Sequence, residues 1–274
     1  MTAAPDIHSL PCRVCAQPSR HLFDGPLLRH RVAYFECANC GYVQTETPHW
    51  LSEAYVEAIN RSDTGLLRRN ARNTSMVMRL LMLLGRLHGL VIDCAGGYGI
   101  LVRMLRDRGV DALWHDPHCE NLLARGFEAG ADQRADLVTA FEAMEHFEGP
   151  LAELARLLAR ADSVLVSTDL VATPAPAPAD WWYYGAEHGQ HIGFFRRATL
   201  EHLAQRLGCH LHSDGRRYHL FTRQSIAPWR WAWARKTHAI APLLARTRLR
   251  SKVWSDLALA REQALANALT PSDA

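Results

Sequence analysis

From residue 90 onward, short apolar runs of strand length alternate with amphipathic stretches of helical length. That alternation restricts the chain more than any other feature. LVIDC at 90–94, ALWH at 112–115, LVTAF at 137–141 and SVLVST at 163–168 read as buried strands, with helices at 100–108 and 150–160 between them. Strand and helix in alternation mean a parallel sheet covered by helices on both faces. The order then changes. A helix at 197–207 precedes two strand-like runs flanking Asp214-Gly215, a strong hairpin signal, so the sheet ends in an antiparallel pair. Upstream, WLSEAYVEAI at 50–59 and the run from Met76 to His88 have helical spacing, with polar DTGLLRRNARNTS between them. ATPAPAPAD at 172–180 has proline at every second position, which excludes helix and central strand and favours a stiff extended arm.

Composition sets the outer limits. With 48% hydrophobic and 22% charged residues among 274, the chain is of ordinary globular type, neither disordered nor collagen-like. Its 31 basic against 28 acidic residues are too even to argue for nucleic acid by themselves. The longest apolar run, Met76 to Leu84, is broken by Arg79 and far short of the roughly 20 residues a membrane-spanning helix requires. The first twelve residues lack the basic start and apolar core of a secretory signal, so a cytoplasmic location is expected.

Four of the seven cysteines form two pairs, Cys12-x-x-Cys15 and Cys37-x-x-Cys40. Two intervening residues let both thiolates of a knuckle reach one ion, and two knuckles close a tetrahedral site. Zn2+ is the expected occupant, in a structural role because no ligand position is left open; the competing reading is two redox pairs. RVAYFE at 31–36 is the predicted strand into the second knuckle and Gly41 the turn after it, which makes residues 1–47 a zinc ribbon. Cys94, Cys119 and Cys209 have no such spacing and read as small buried hydrophobes.

The strand LVIDC runs into Ala95-Gly96-Gly97-Tyr98-Gly99 and then a helix, at the strand end where doubly wound sheets bind nucleotides. No Gly-Lys-Ser/Thr ending follows, which excludes a phosphate-cradling Walker loop. A dinucleotide fingerprint would have a third glycine where Val102 stands. The stretch from Asp93 to Gly99 resembles motif I of class I S-adenosylmethionine-dependent methyltransferases. Asp116, 23 residues after Asp93, matches that family's ribose-binding acid, and ADLVTAFEAMEHFEGP at 135–150 resembles its fourth strand and Glu-His motif. The resemblance covers residues 90–222 and departs at Ala95, where the family usually has glycine. It implies an α/β, Rossmann-like seven-stranded sheet with an antiparallel carboxyl-terminal hairpin, and S-adenosyl-L-methionine as cofactor. The implied cofactor contacts are Asp93, Ala95, Gly97, Gly99, Asp116 and Pro117, with Arg69 or Arg68 reaching the methionine carboxylate.

The acceptor side is expected in WWYYGAEHGQHIGFF, from Trp181. Trp181, Trp182, Tyr183 and Tyr184 offer ring faces for a sugar, and Glu187 and Gln190 offer polar contacts; the alternative is a structural aromatic cluster. The base is expected to be His191, then His188, with His146 as runner-up. Two histidines and a glutamate could also hold a metal, but the sequence places no third convergent ligand. The wider sequence resembles bacterial methyltransferases that pair an amino-terminal zinc ribbon with this domain, including deoxysugar methyltransferases, and sets often associated with cell-surface polysaccharide synthesis. It implies methyl transfer to a hydroxyl, less readily a carbon, of a sugar-like small molecule or saccharide. Residues 48–89 then form a helical connector and cofactor lid, 90–222 the methyltransferase domain, and 223–274 a basic helical extension. From Arg223 to Lys252 that extension has eight Lys or Arg, no Asp or Glu, and Trp229, Trp231 and Trp233. Such a stretch suits an anionic membrane surface or nucleic acid, or packs its tryptophans back on the domain. An RNA or protein methyltransferase, or a nucleic-acid-binding adaptor on the same scaffold, is the rival function.

Overall fold

The computed structural model describes residues 9–56, 63–236 and 248–269. The chain forms two compact units: Met1–Asp63 with Val138–Ile226, and Thr64–Leu137 with Ala227–Ala274. The predicted residues 57–59 of the first helix and 237–247 of the basic stretch lie outside the described residues.

In the first unit, strands β1 (Ser9–Pro11), β2 (Pro18–Leu27), β3 (His30–Cys37) and β4 (Val43–Thr45) form an antiparallel sheet. Its fifth strand is β9 (Gly193–Phe194), supplied from far along the chain and paired through Val43 with Phe194. The same residues explain why the sheet does not stand alone. Leu27, Val32, Tyr34, Val43 and Trp50 are shielded from water together with Val171, Tyr183, Tyr184, Ile192 and Phe194, so the ribbon and the aromatic segment share one core. α1 (Leu51–Ala54) closes it, with Trp50 Nε1 donating to the carbonyl of Gly189 at 2.8 Å.

This unit also holds strands of a second, mixed sheet. Here β7 (Leu137–Phe141) runs parallel to β8 (Ser163–Ser167), and β11 (Tyr218–Thr222) lies antiparallel to β8 and to β10 (His210–Ser213). α4 (Pro150–Arg160) buries Leu154, Leu157 and Leu158, and α5 (Arg197–Arg206) buries Leu200 and Leu203. The hairpin turn centres on Asp214, whose Oδ1 accepts the backbone N–H groups of Arg216, Arg217 and Tyr218.

In the second unit, β5 (Leu90–Cys94) pairs in parallel with β6 (Asp111–His115). α2 (Leu66–Leu84) and α3 (Ile100–Asp107) pack against each other, as do α2 and α6 (Pro228–Lys236). α2 starts ten residues before the apolar run that predicted it. In its polar first half Asn70, Thr74 and Ser75 satisfy their side chains on carbonyls four residues back, and Asn73 and Thr74 are buried. It ends at Leu84, four residues before the expected His88, because Gly85 takes the left-handed conformation and caps it. Arg79, inside the apolar run, is buried but bonded to the carbonyls of Ser75 and Arg235. α7 (Val253–Leu269) is tied down by Asp256, which accepts from Arg106 at 2.8 and 2.7 Å and from Arg103 at 2.7 Å.

Seven strands were expected outside the ribbon. Among the described residues there are six, and after β6 the chain makes only an isolated bridge, Trp114 to Glu128. Segment 117–136 is too rich in Gly, Asp and Arg, with too few β-branched residues, to sustain a strand. No helix among the described residues is long and apolar enough to cross a membrane.

Candidate active site

Four cysteines meet at one end of the ribbon. Ala16 turns the first knuckle at φ 61°, and Gly41 the second at φ 73°, where its N–H donates to the Cys37 carbonyl at 2.8 Å. Cys12 Sγ lies 3.6 Å from Cys40 Sγ, and Cys15 Sγ 3.4 Å from Cys37 Sγ. Bonds of about 2.3 Å to a tetrahedral Zn2+ place sulfurs about 3.8 Å apart. All four sulfurs lie within 4.8 Å of one another and none forms a disulfide, so the cluster fits a zinc ribbon. The second knuckle is also held from outside. Thr199 Oγ1 donates to the Cys40 carbonyl and Arg196 to that of Gly41, each at 2.8 Å.

In the second unit, the end of β5 turns sharply into α3. Ala95 (φ 58°), Gly97 (φ 53°) and Gly99 (φ 84°) are all left-handed, a conformation natural for glycine and strained for alanine. The missing family glycine is thus first a matter of backbone strain. Asp116 fixes the turn from the end of β6: its Oδ2 accepts the Gly97 N–H at 2.9 Å and its Oδ1 that of His118 at 2.8 Å. Trp114, two residues earlier and so on the same face, donates Nε1–H to the Gly97 carbonyl at 2.7 Å. A Cβ on Gly96 would meet the Trp114 ring at 2.7 Å, so the turn and the indole are fitted to each other. Asp93 is buried in β5, in register with Trp114. Pro117 is exposed beside Asp116, and Arg69 is half-buried on α2. Two carboxylates at the ends of adjacent parallel strands, with a close-approach turn between them, suit a ligand with an ammonium and vicinal hydroxyls, as S-adenosylmethionine has.

The histidines gather in the first unit. His146 and His191 have ring centroids 5.0 Å apart, and His188 and His191 4.7 Å apart. His191 Nδ1 lies 2.6 Å from the Tyr183 carbonyl, which only accepts, so Nδ1 carries the proton and Nε2 of the neutral ring holds the lone pair. His188 Nδ1 already accepts the Gln190 N–H at 3.1 Å. His146 Nδ1 pairs with the Tyr55 hydroxyl at 2.8 Å, and burial, then the charge of His188, holds its pKa down at about 4. Burial likewise lowers His188. Beneath them Glu145 is completely buried. Tyr183 Oη donates to its Oε1 at 2.7 Å, and burial, aided by the charge of Glu142, pushes its pKa up to about 8.

The aromatic segment divides its labour. Tyr183 reaches the histidines, with its ring 4.7 Å from that of His191. Tyr184 faces the ribbon instead, meeting Tyr34 and Phe194 edge-on; Trp181 meets Tyr184 and Phe194 edge-on and lies 5.3 Å from Tyr183, and the Tyr184 hydroxyl donates to the Pro176 carbonyl. Buried Gln190 braces α1 through the Ala54 carbonyl, whereas Glu187 and Trp182 are exposed. Trp114, Tyr55 and Glu145 were not singled out from the sequence. Glu145 was signalled, being the acid of the Glu-His pair just after the fourth strand of the resemblance.

A parallel strand pair ending in this glycine turn, with a mixed sheet closed by an antiparallel hairpin, is the class I methyltransferase fold. A family described as "Methyltransferase domain" matches residues 67–214, just over half of the chain, and the chain belongs to that family. No curated protein matches it. Among solved structures, an O-methyltransferase family protein from Burkholderia thailandensis is 14% identical (TM-score 0.47), the alignment covering 66% of this chain and 64% of that one. The magnesium protoporphyrin IX methyltransferase of Synechocystis PCC 6803, with bound S-adenosylhomocysteine, is 15% identical (TM-score 0.43; 65% and 96%). The mitomycin 7-O-methyltransferase is 14% identical (TM-score 0.42; 64% and 60%). The family assignment rests on the match over residues 67–214.

Proposed function

We propose that the protein transfers the methyl group of S-adenosylmethionine to a hydroxyl of a sugar-like small molecule, with His191 as the base. The observation that carries this reading is the tautomer of His191: its Nδ1–H is held by the Tyr183 carbonyl, so the lone pair of the neutral ring is on Nε2. When bound, the cofactor supplies a methyl on a sulfonium, already a good leaving group. What remains for the chain is to hold the cofactor, align the acceptor and remove its proton. Asp93 and Asp116 would hold the ammonium and the ribose hydroxyls, with Gly97 and Gly99 giving close approach, Pro117 flanking them and Arg69 reaching the carboxylate. On the acceptor side, Tyr183 and Gln190 set the loop that carries His191, and Trp182 and Glu187 are the side chains of this segment most exposed to a ligand. Trp181 and Tyr184 contribute through the shared core. His188, whose Nδ1 is occupied, and His146, held neutral by burial, rank behind His191 as base.

In the same reading the cysteine cluster holds one structural Zn2+, since all four positions are filled by protein sulfur. The test is mass spectrometry of cell extracts incubated with the protein and methyl-labelled S-adenosylmethionine. Label in a low-molecular-weight glycosyl compound supports the reading. Label confined to RNA or protein would replace the acceptor class by the rival one.

A further inference from the structure

We propose that Glu145, His146 and His191 form a second metal site, which takes a divalent transition-metal ion and so silences the base. One ligand atom from each residue lies within 4.8 Å of the others, and His191 Nε2 is already 4.0 Å from Glu145 Oε1. Two histidines and a glutamate are the protein ligands of an open zinc site, whose metal bonds of about 2.0–2.2 Å draw such atoms to within about 3.5 Å. Binding would draw the three side chains together by that difference.

A second observation points to a ligand. Glu145 Oε1 is engaged by Tyr183, but Oε2 is sealed from solvent with no hydrogen-bond partner. An unpaired buried carboxylate oxygen costs free energy, and a cation beside it removes that cost. The surroundings match as well. Histidines that bind metals usually donate their other ring N–H to a carbonyl or carboxylate, as His191 Nδ1 does to Tyr183. The donor set of two imidazoles and one carboxylate suits Zn2+, Co2+ or Ni2+ and disfavours Mg2+ and Ca2+. The ion would occupy the Nε2 lone pair assigned above to the acceptor proton. The inhibition therefore rests on that assignment, whereas the metal binding does not.

The probe is Co2+ added to the full-length protein with its cysteine site already filled by zinc. A second metal equivalent is expected, with visible d–d absorption and no thiolate charge-transfer band. Glu145→Gln and His191→Ala should each weaken it at least about tenfold while leaving the zinc count unchanged, which also reports that the variants fold. Binding of only the cysteine-held equivalent, or wild-type affinity in both variants, overturns the site. Methyl-transfer turnover should fall in step with second-site occupancy. If the metal binds and turnover is unaffected, the site stands, the silencing is wrong, and His191 is not the base.

Discussion

Replacing Asp116 separates a cofactor contact from a structural clamp. Its carboxylate holds two backbone N–H groups, of Gly97 and of His118. His118 is exposed, so water replaces its lost partner at little cost, whereas Gly97 is partly buried at the head of the turn. Asp116→Ala should therefore destabilise the protein by about 1–3 kcal/mol, the penalty for one buried donor left unpaired. Losing the ribose acceptor should weaken S-adenosylhomocysteine by a further 1.5–3 kcal/mol, roughly 10- to 150-fold in Kd. Asp116→Asn keeps one acceptor oxygen and should fall between. Urea denaturation reads the first quantity and titration calorimetry the second. A Kd unchanged in Asp116→Ala, with stability lowered, would show that the carboxylate only braces the turn and would move the ribose site elsewhere.

Cys37→Ser should remove the bound zinc and lower the urea midpoint while S-adenosylhomocysteine affinity stays the same; a metal-free wild type of undiminished stability refutes the structural metal. His191→Ala should lower kcat by roughly 10² to 10⁴ with cofactor affinity unchanged, and near-normal turnover would exclude it as base. Ala95→Gly relieves a left-handed alanine and should stabilise by up to about 1 kcal/mol, where a loss in thermal stability would contradict the turn described. Asp256→Asn leaves the buried guanidinium of Arg106 with Asp111, 3.9 Å away, as its remaining charge partner among the described residues and should cost about 1.5–3 kcal/mol at neutral pH, the range for hydrogen bonds to charged groups. Burial opposes the ionised form of Asp256, but hydrogen bonds from Arg106 and Arg103 outweigh it and hold the pKa below its ordinary 3.8. Its stabilisation is therefore complete above that value and lost as pH falls through the depressed one, so wild type and variant should converge in acid. A gap independent of pH would mean that the variant's loss is not electrostatic.

What could be read from the residues was what depends on short range. The strands 90–94 and 137–141 and the helix 150–160 were visible because each carries its own periodicity and its own stop signal. The cysteine knuckles were visible because their spacing is their geometry. The polar half of α2 was missed because it is anchored by burial of the polar residues Asn73 and Thr74, which hydrophobic patterning does not weigh. The aromatic segment showed its importance but not its division, since Tyr183 and Tyr184 are adjacent and turn to different neighbours. Trp114 and Glu145 were passed over for the same reason: each is defined by a partner 17 or 38 residues away.

The strand exchange that completes the ribbon has a consequence for synthesis of the chain. Both cysteine knuckles have left the ribosome once residue 40 has, but β9, which finishes their sheet, follows β4 by roughly 150 residues. At about 5–20 residues per second, that interval is on the order of ten to thirty seconds. For that time the nascent chain presents an unpaired β4 edge and uncovered Tyr34, Val43 and Trp50, all fully or almost fully buried in the finished protein. The knuckles can trap a metal early, but the hydrophobic reward for doing so arrives only when His191 and its neighbours are made. A period of exposure for this amino-terminal segment is therefore built into the order of the strands.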